Sequence, residues 1–180
     1  MIVLINGSFS IGKSTVARLL RAALPGSAIY DPEFVGFVLM RTEKFLRFDG
    51  SGTGDFQDMI LWRRSVSAGT RLLGRIASGP VIVPMTFTSR DYFDEVVSNL
   101  GSSGSSLRTF CLRASLGTIE KRLENRKLDP NGREKLWLTR RITESVEAHR
   151  DSHFGEPVDT ENRSAQEVSE DILRRLNANI

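Results

Sequence analysis

One run of eight residues, Gly7-Ser-Phe-Ser-Ile-Gly-Lys-Ser14, constrains this chain more than any other feature. It completes the pattern G-x-x-x-x-G-K-[ST] and sits between two regular stretches. Residues 2–5 before it are a continuous aliphatic run, as expected for a strand covered on both faces. After it, Val16, Leu19, Leu20 and Ala23 recur at i, i+3, i+4 and i+7, one stripe of a helix that Pro25-Gly26 ends. Between a strand and a helix the loop has a physical job that an incidental Gly-rich turn lacks. Its glycines let the backbone curl so that several N–H groups face one anion, and the helix adds its positive end. Gly7, Ser8, Phe9, Ser10, Ile11, Gly12, Lys13, Ser14 and Thr15 are therefore expected to hold the phosphates of a nucleoside triphosphate. Lys13 reaches the β- and γ-phosphates in such a loop, and Ser14 offers its hydroxyl to Mg²⁺.

The rest of the chain alternates. Strands are expected at 28–30, 81–83, 107–112 and 156–158, and helices at 34–47, 56–77, around Phe93–Leu100, around Leu116–Leu123, at 133–150 and from Ser164 onward. In the 56–77 helix, Phe56, Met59, Ile60, Val66, Leu73 and Ile76 read as the inner side. Ser164-Ala-Gln-Glu167 is a capping box, with Val168, Ile172 and Leu176 as the buried stripe behind it. Strand–helix alternation implies an α/β domain with a five-stranded, mostly parallel sheet and helices on both faces. A length of 180 residues, 39% of them hydrophobic, suits one domain with its own core. No apolar run approaches the ~18–20 residues of a membrane helix, so no membrane span is expected. The lone Cys111 fits a reducing, cytoplasmic setting and reads as a small buried hydrophobe.

The net charge of +3 is too small to argue for a nucleic-acid partner, and none is expected. Its distribution is uneven. Between Arg113 and Arg141 there are nine Lys/Arg and four Asp/Glu, so that segment carries +5 and the remainder −2. Arg122 and Arg126, four apart on one helix, are either a solvated face or cations for a phosphoryl-transfer transition state. Asp31, at the end of the second strand, is placed to take a proton from an attacking hydroxyl. Asp31-Pro32-Glu33 is also good helix-start chemistry, with Asp as cap and Pro at the first position. Asp55, Gln57, Trp62 and Arg63, with Phe34, could line an acceptor pocket as polar hooks and an aromatic wall, although Trp62 reads equally as core. His149 and His153 stand at i, i+4 without a third ligand, which argues against a zinc site.

These residues together resemble the tunicamycin-resistance family of small P-loop proteins, itself similar to nucleoside kinases and chloramphenicol phosphotransferase. The likeness rests on Ile5-Asn-Gly7, Gly12-Lys-Ser14, Tyr30-Asp-Pro-Glu33 with Gly36-Phe37, Asp55-Phe-Gln57, Leu61-Trp-Arg63, Val81-Ile-Val-Pro-Met-Thr86 and Asp91-Tyr-Phe93. It implies a single P-loop kinase-like domain over residues 1–180 with an arginine-rich lid at about 126–135. It also implies ATP and Mg²⁺ as cofactors and a hydroxyl-bearing small molecule as substrate. By the same resemblance Asp31 is the base, Arg122 covers adenine, Arg126 reaches phosphate, and the loop at Asp159-Thr160 wraps the nucleotide base. The sequence departs from the common pattern at Val83-Pro-Met-Thr86, which has no Walker-B aspartate. The expected activity is ATP-dependent phosphorylation of a nucleoside-like or antibiotic hydroxyl. The alternative is ATP-dependent binding that sequesters a toxic nucleoside antibiotic without modifying it. A polynucleotide kinase is disfavoured by the modest charge, and a GTPase by the lack of an N-K-x-D-like run.

Overall fold

Every residue of the first strand, β1 (Ile2–Gly7), is buried, and the sheet is built outward from it. In the computed structural model the described residues are 1–33, 56–102, 104–125 and 133–178. The expected helix at 34–47, the side chains of Phe34, Asp55, Phe56 and Arg126, and residues 126–132 of the expected lid lie outside them. Along the chain, β1 is followed by α1 (Lys13–Ala23), β2 (Ala28–Ile29), a 3₁₀ turn (Phe56–Asp58) and α2 (Ile60–Ile76). Next come β3 (Val81–Pro84), α3 (Arg90–Gly101), β4 (Leu107–Arg113), α4 (Leu116–Glu124) and α5 (Arg133–Ala148). A second 3₁₀ turn (Ser152–Phe154), β5 (Glu156–Asp159) and α6 (Ala165–Asn177) complete it.

The strands run in the order β2-β3-β1-β4-β5, and every pairing is parallel. β1 is thus the central strand, with Leu4 beside Val83 on one side and Thr109 on the other. Alternate side chains of β1 feed two cores, as strand geometry dictates. Val3 and Ile5 pack with Leu20 of α1, Ile119 of α4 and Ile172 of α6. Ile2 and Leu4 pack on the other face with Val66 of α2, Phe93 of α3 and Phe154. Cys111 lies in that second core, and burial pushes its thiol up to about 11. Ser164 caps α6 in the expected reciprocal box with Glu167, and Val168, Ile172 and Leu176 face inward. No helix among the described residues is long and apolar enough to cross a membrane.

Two helix stripes differ from the sequence expectation. In α1 the buried apolar residues are Val16, Ala17 and Leu20, while Ala23 is exposed. In α2 the difference is larger. Residues 56–58 form a 3₁₀ turn, whose three residues per turn reset the phase before the α-helix begins at Ile60. The inner side is Trp62, Arg63, Val66, Ser67 and Thr70, whereas Ile60 and Ile76 are 56% and 75% exposed. Val66 is buried as expected, and Met59 and Leu73 pack against the same core, but a hydrophobic-period reading misses Arg63, Ser67 and Thr70, three polar residues of the five. Trp62→Ala is therefore expected to cost about 3–5 kcal/mol and Ile76→Ala less than about 0.5 kcal/mol, read as urea-unfolding free energies.

The two histidines do not share a helix face. α5 stops at Ala148, His149 is buried just beyond it, and His153 sits in the following 3₁₀ turn, paired with Asp94 at 2.7 Å. His149 Nε2 lies 2.7 Å from the Phe87 carbonyl, which can only accept, so Nε2 carries the proton. Its Nδ1 is bare and has no hydrogen-bond partner. Burial drives the imidazole down to about 4 from its ordinary 6.5. The unfolded chain therefore takes up this proton first as pH falls. The stability contribution is complete above pH 6.5, declines as pH drops towards 4, and is level below that, a loss of order 3 kcal/mol. His149→Gln keeps a side-chain N–H donor, and its urea-unfolding free energy should lose this slope relative to the wild type between pH 6.5 and 4.5.

Candidate active site

The loop at the C-terminal end of β1 is shaped by two residues in the left-handed region. Gly12 has φ 111° and serves as the N-cap of α1, and Ser10 has φ 62°. At Gly7, an added Cβ would come within 3.0 Å of Ile11 Cγ2 and 3.2 Å of Leu112, so the start of the loop packs closely between Ile11 and β4. No side chain caps α1, in contrast to α4 and α6, where Ser115 and Ser164 accept from the first turn. Ser14 is exposed in that first turn. Ser10 Oγ is buried and unpartnered. Lys13 is buried, and its ammonium bridges the carbonyls of Gly7 and Ser8 at 2.9 Å each. Its Nζ also lies 5.6 Å from the centre of the Phe9 ring. Strained backbone, an orphaned hydroxyl, an uncapped helix start and a lysine folded over the loop are the donor set that a polyphosphate requires.

Beside the loop is a cleft of about 240 Å³ lined by Ser10, Gly12, Thr15, Arg122, Thr160 and Val168. Arg122 of α4 crosses it. Its Nη1 donates to Ile11 O at 3.2 Å and to Thr160 Oγ1 at 3.0 Å, and its Nη2 to Thr160 O at 2.7 Å. Thr160 Oγ1 in turn donates to Arg113 O at 3.0 Å. The phosphate loop, α4 and the turn after β5 are thus joined by one guanidinium. Arg122 and Thr160, 38 residues apart, lie together against the loop.

On the other side of β1, Asp31 stands exposed after β2, and its Oδ1 accepts from Glu33 N at 3.0 Å, the capping role that the sequence left open. Glu33 stands in the sequence as helix-start chemistry and within the Tyr30-Asp-Pro-Glu33 block, with no site role assigned. Its carboxylate accepts from Thr86 Oγ1 at 3.4 Å, which brings an acid to the end of β3, where the Walker-B aspartate is missing. Nothing local in the sequence links it to Thr86, 53 residues on. Tyr30 fixes this corner from behind, donating to Ser65 O at 2.9 Å, and burial raises its phenol above the ordinary value.

Trp62 and Arg63 hold the surroundings together rather than standing open. Trp62 is fully buried, packs edge-on against Phe87, and donates Nε1–H to Pro32 O at 2.8 Å. Arg63 is spent on Glu95 Oε2 and Gln57 O, both at 2.6 Å, and stacks 4.0 Å from the centre of the Tyr92 ring. Gln57 is buried and accepts from Thr88 N at 3.1 Å. These three residues therefore hold Pro32 and Thr88 in place from within the core. Among the described residues, no group of three or more His, Cys, Asp or Glu could hold a metal ion. A Mg²⁺ ion here would rest on Ser14 and on the oxygens of a bound triphosphate.

No protein-family model matches the chain, and no curated protein matches its sequence. Solved structures do. The tunicamycin resistance protein of Deinococcus radiodurans aligns with a TM-score of 0.76 at 26% identity, covering 98% of this chain and 95% of that one. A gluconokinase from Sinorhizobium meliloti 1021 aligns at 0.66 and 19%, covering 98% and 93%. The shikimate kinase of Bacteroides thetaiotaomicron aligns at 0.65 and 14%, covering 98% of each chain. The chain has the P-loop fold of these kinases, and over nearly its whole length it is similar to a tunicamycin resistance protein.

Proposed function

We propose that this protein is an ATP-dependent phosphotransferase that acts on a hydroxyl of a nucleoside-like or antibiotic small molecule. The observation that carries the reading is Lys13, buried and held over the loop carbonyls at the uncapped start of α1. A lysine parked there meets an incoming polyphosphate by a short side-chain movement, without refolding of the loop. Support for the substrate class comes from the similarity to a protein named for tunicamycin resistance and to kinases of small hydroxylated molecules.

Bound Mg-ATP would supply the transferable phosphoryl group and a divalent charge beside it. The chain's own residues do the remainder. The 7–14 loop and the α1 amides bind the phosphates, Lys13 neutralises charge on them, and Ser14 adds a hydroxyl. Arg122, held flat between Ile11 and Thr160, forms the wall on which a nucleotide base stacks, and Thr160 acts by fixing that wall. Asp31 takes the proton of the acceptor hydroxyl, keeping its cap to Glu33 N through one oxygen and using the other. Glu33, oriented by Thr86, adds negative charge on the same side.

Lys13→Ala is expected to abolish turnover. Asp31→Asn should leave Mg-ATP affinity within a few-fold of wild type while lowering kcat by about 10²–10⁴. Both are read by mass spectrometry after incubating Mg-ATP with a panel of nucleosides, amino sugars and hydroxyl-bearing antibiotics. One compound gaining a single phosphoryl group with wild type and not with Lys13→Ala establishes the reaction. A ligand retained only with nucleotide and recovered unmodified would instead establish sequestration, and unchanged kcat in Asp31→Asn would remove the base assignment.

A further inference from the structure

The start of the phosphate loop is tied to α5 by a hydrogen bond whose direction can be derived. Ser8 Oγ and Ser145 Oγ, 137 residues apart, lie 2.7 Å from each other, and both residues are buried. A hydroxyl has one proton. Ser145 gives its proton to Ile142 O at 2.9 Å, one turn back along α5. Ser8 must therefore donate to Ser145, which commits its single hydroxyl proton to α5. Four residues on, just past the end of α5, His149 bonds back to Ser145 O through its N–H at 2.9 Å, and its Nε2 donates to Phe87 O. Phe87 is in turn clamped to Asn6, the residue before Gly7, through Phe87 N to Asn6 Oδ1 at 2.9 Å and Asn6 Nδ2 to Phe87 O at 3.3 Å. The carbonyls that hold Lys13 belong to Gly7 and Ser8, the next two residues.

We infer that Ser145 is a positioning residue for nucleotide binding: by accepting from Ser8 it sets the pose of the loop residues that carry Lys13, and couples that pose to the placement of α5. The inference rests on the nucleotide-binding reading above and assigns a role to a residue remote from the loop in sequence. A displacement of α5 moves Ser8, and with it one of the two carbonyls that hold the lysine. Without the Ser145 oxygen, the Ser8 hydroxyl is released to find other partners, and the loop populates poses that do not match a polyphosphate.

The test is a double-mutant cycle on the full chain, with Mg-ATP affinity measured by calorimetry and thermal unfolding followed without nucleotide. Ser145→Ala and Ser8→Ala should each weaken Mg-ATP about three- to ten-fold, the range for loss of one hydrogen bond. The double variant should bind no more weakly than the worse single one, because both remove the same bond. A structural role alone would lower the unfolding temperature and leave affinity unmoved. Wild-type affinity in Ser145→Ala, or losses that add in the double variant, overturns the inference. Should Ser145→Ala fail to fold, Ser8→Ala reads the bond from its other end, and wild-type affinity there overturns it equally. Absence of Mg-ATP binding by the wild type would instead sink the nucleotide reading, and this inference with it.

Discussion

The side chain of Asn6 is the joint on which the active end of this molecule depends. It is fully buried, so each of its polar atoms must find a partner inside the protein or cost about 1–3 kcal/mol. Oδ1 accepts from Gly7 N and Phe87 N, both at 2.9 Å, and Nδ2 donates to Phe87 O. The chain leaving β1 and the chain leaving β3 are thereby fastened where each departs from the sheet. Neither an aliphatic residue nor an aspartate could do this, because the clamp needs a donor and a double acceptor in one planar group. The second lone pair of the Phe87 carbonyl then receives His149, so three segments meet at one peptide.

Around this joint the two faces of the sheet are built differently. On the α1, α4 and α6 side, polar contacts reach across the cleft itself, with Arg122 bonded to main-chain oxygens of two separate loops. On the α2 and α3 side, the polar groups are withdrawn into the core. Arg63, with its glutamate, its main-chain acceptor and its tyrosine ring, acts as an internal brace for Gln57, and Gln57 holds Thr88.

What the sequence made legible was local. The phosphate loop, the strands around it and the capping box of α6 are each written within a few consecutive residues, and their geometry follows from propensity and periodicity. Arg122 stood out by its charge and spacing, but its link to Thr160 had no local signal, since nothing local couples residues 38 apart. The Asn6–Phe87 clamp, the Ser8–Ser145 bond and the Glu33–Thr86 contact span 81, 137 and 53 residues, and buried Ser, Asn and Thr leave no periodic trace. The same blindness shifted the inner side of α2. Ser67 and Thr70 face the core there, so counting apolar residues pointed to Ile60 and Ile76 instead.

Within α2 lies a glycine that a helix would ordinarily avoid, at a cost of about 1 kcal/mol relative to alanine. At Gly69 a Cβ would fall 2.3 Å from Tyr30 Cζ, because the tyrosine ring occupies the space that a side chain would need. The helix is notched, and the ring sits in the notch with its hydroxyl bonded to the carbonyl one turn earlier. Tyr30 directly precedes Asp31. The longest described helix can therefore neither slide along its axis nor rotate about it without driving into the residue that delivers the exposed carboxylate. That carboxylate inherits its address from an absent methyl group thirty-eight residues further along the chain.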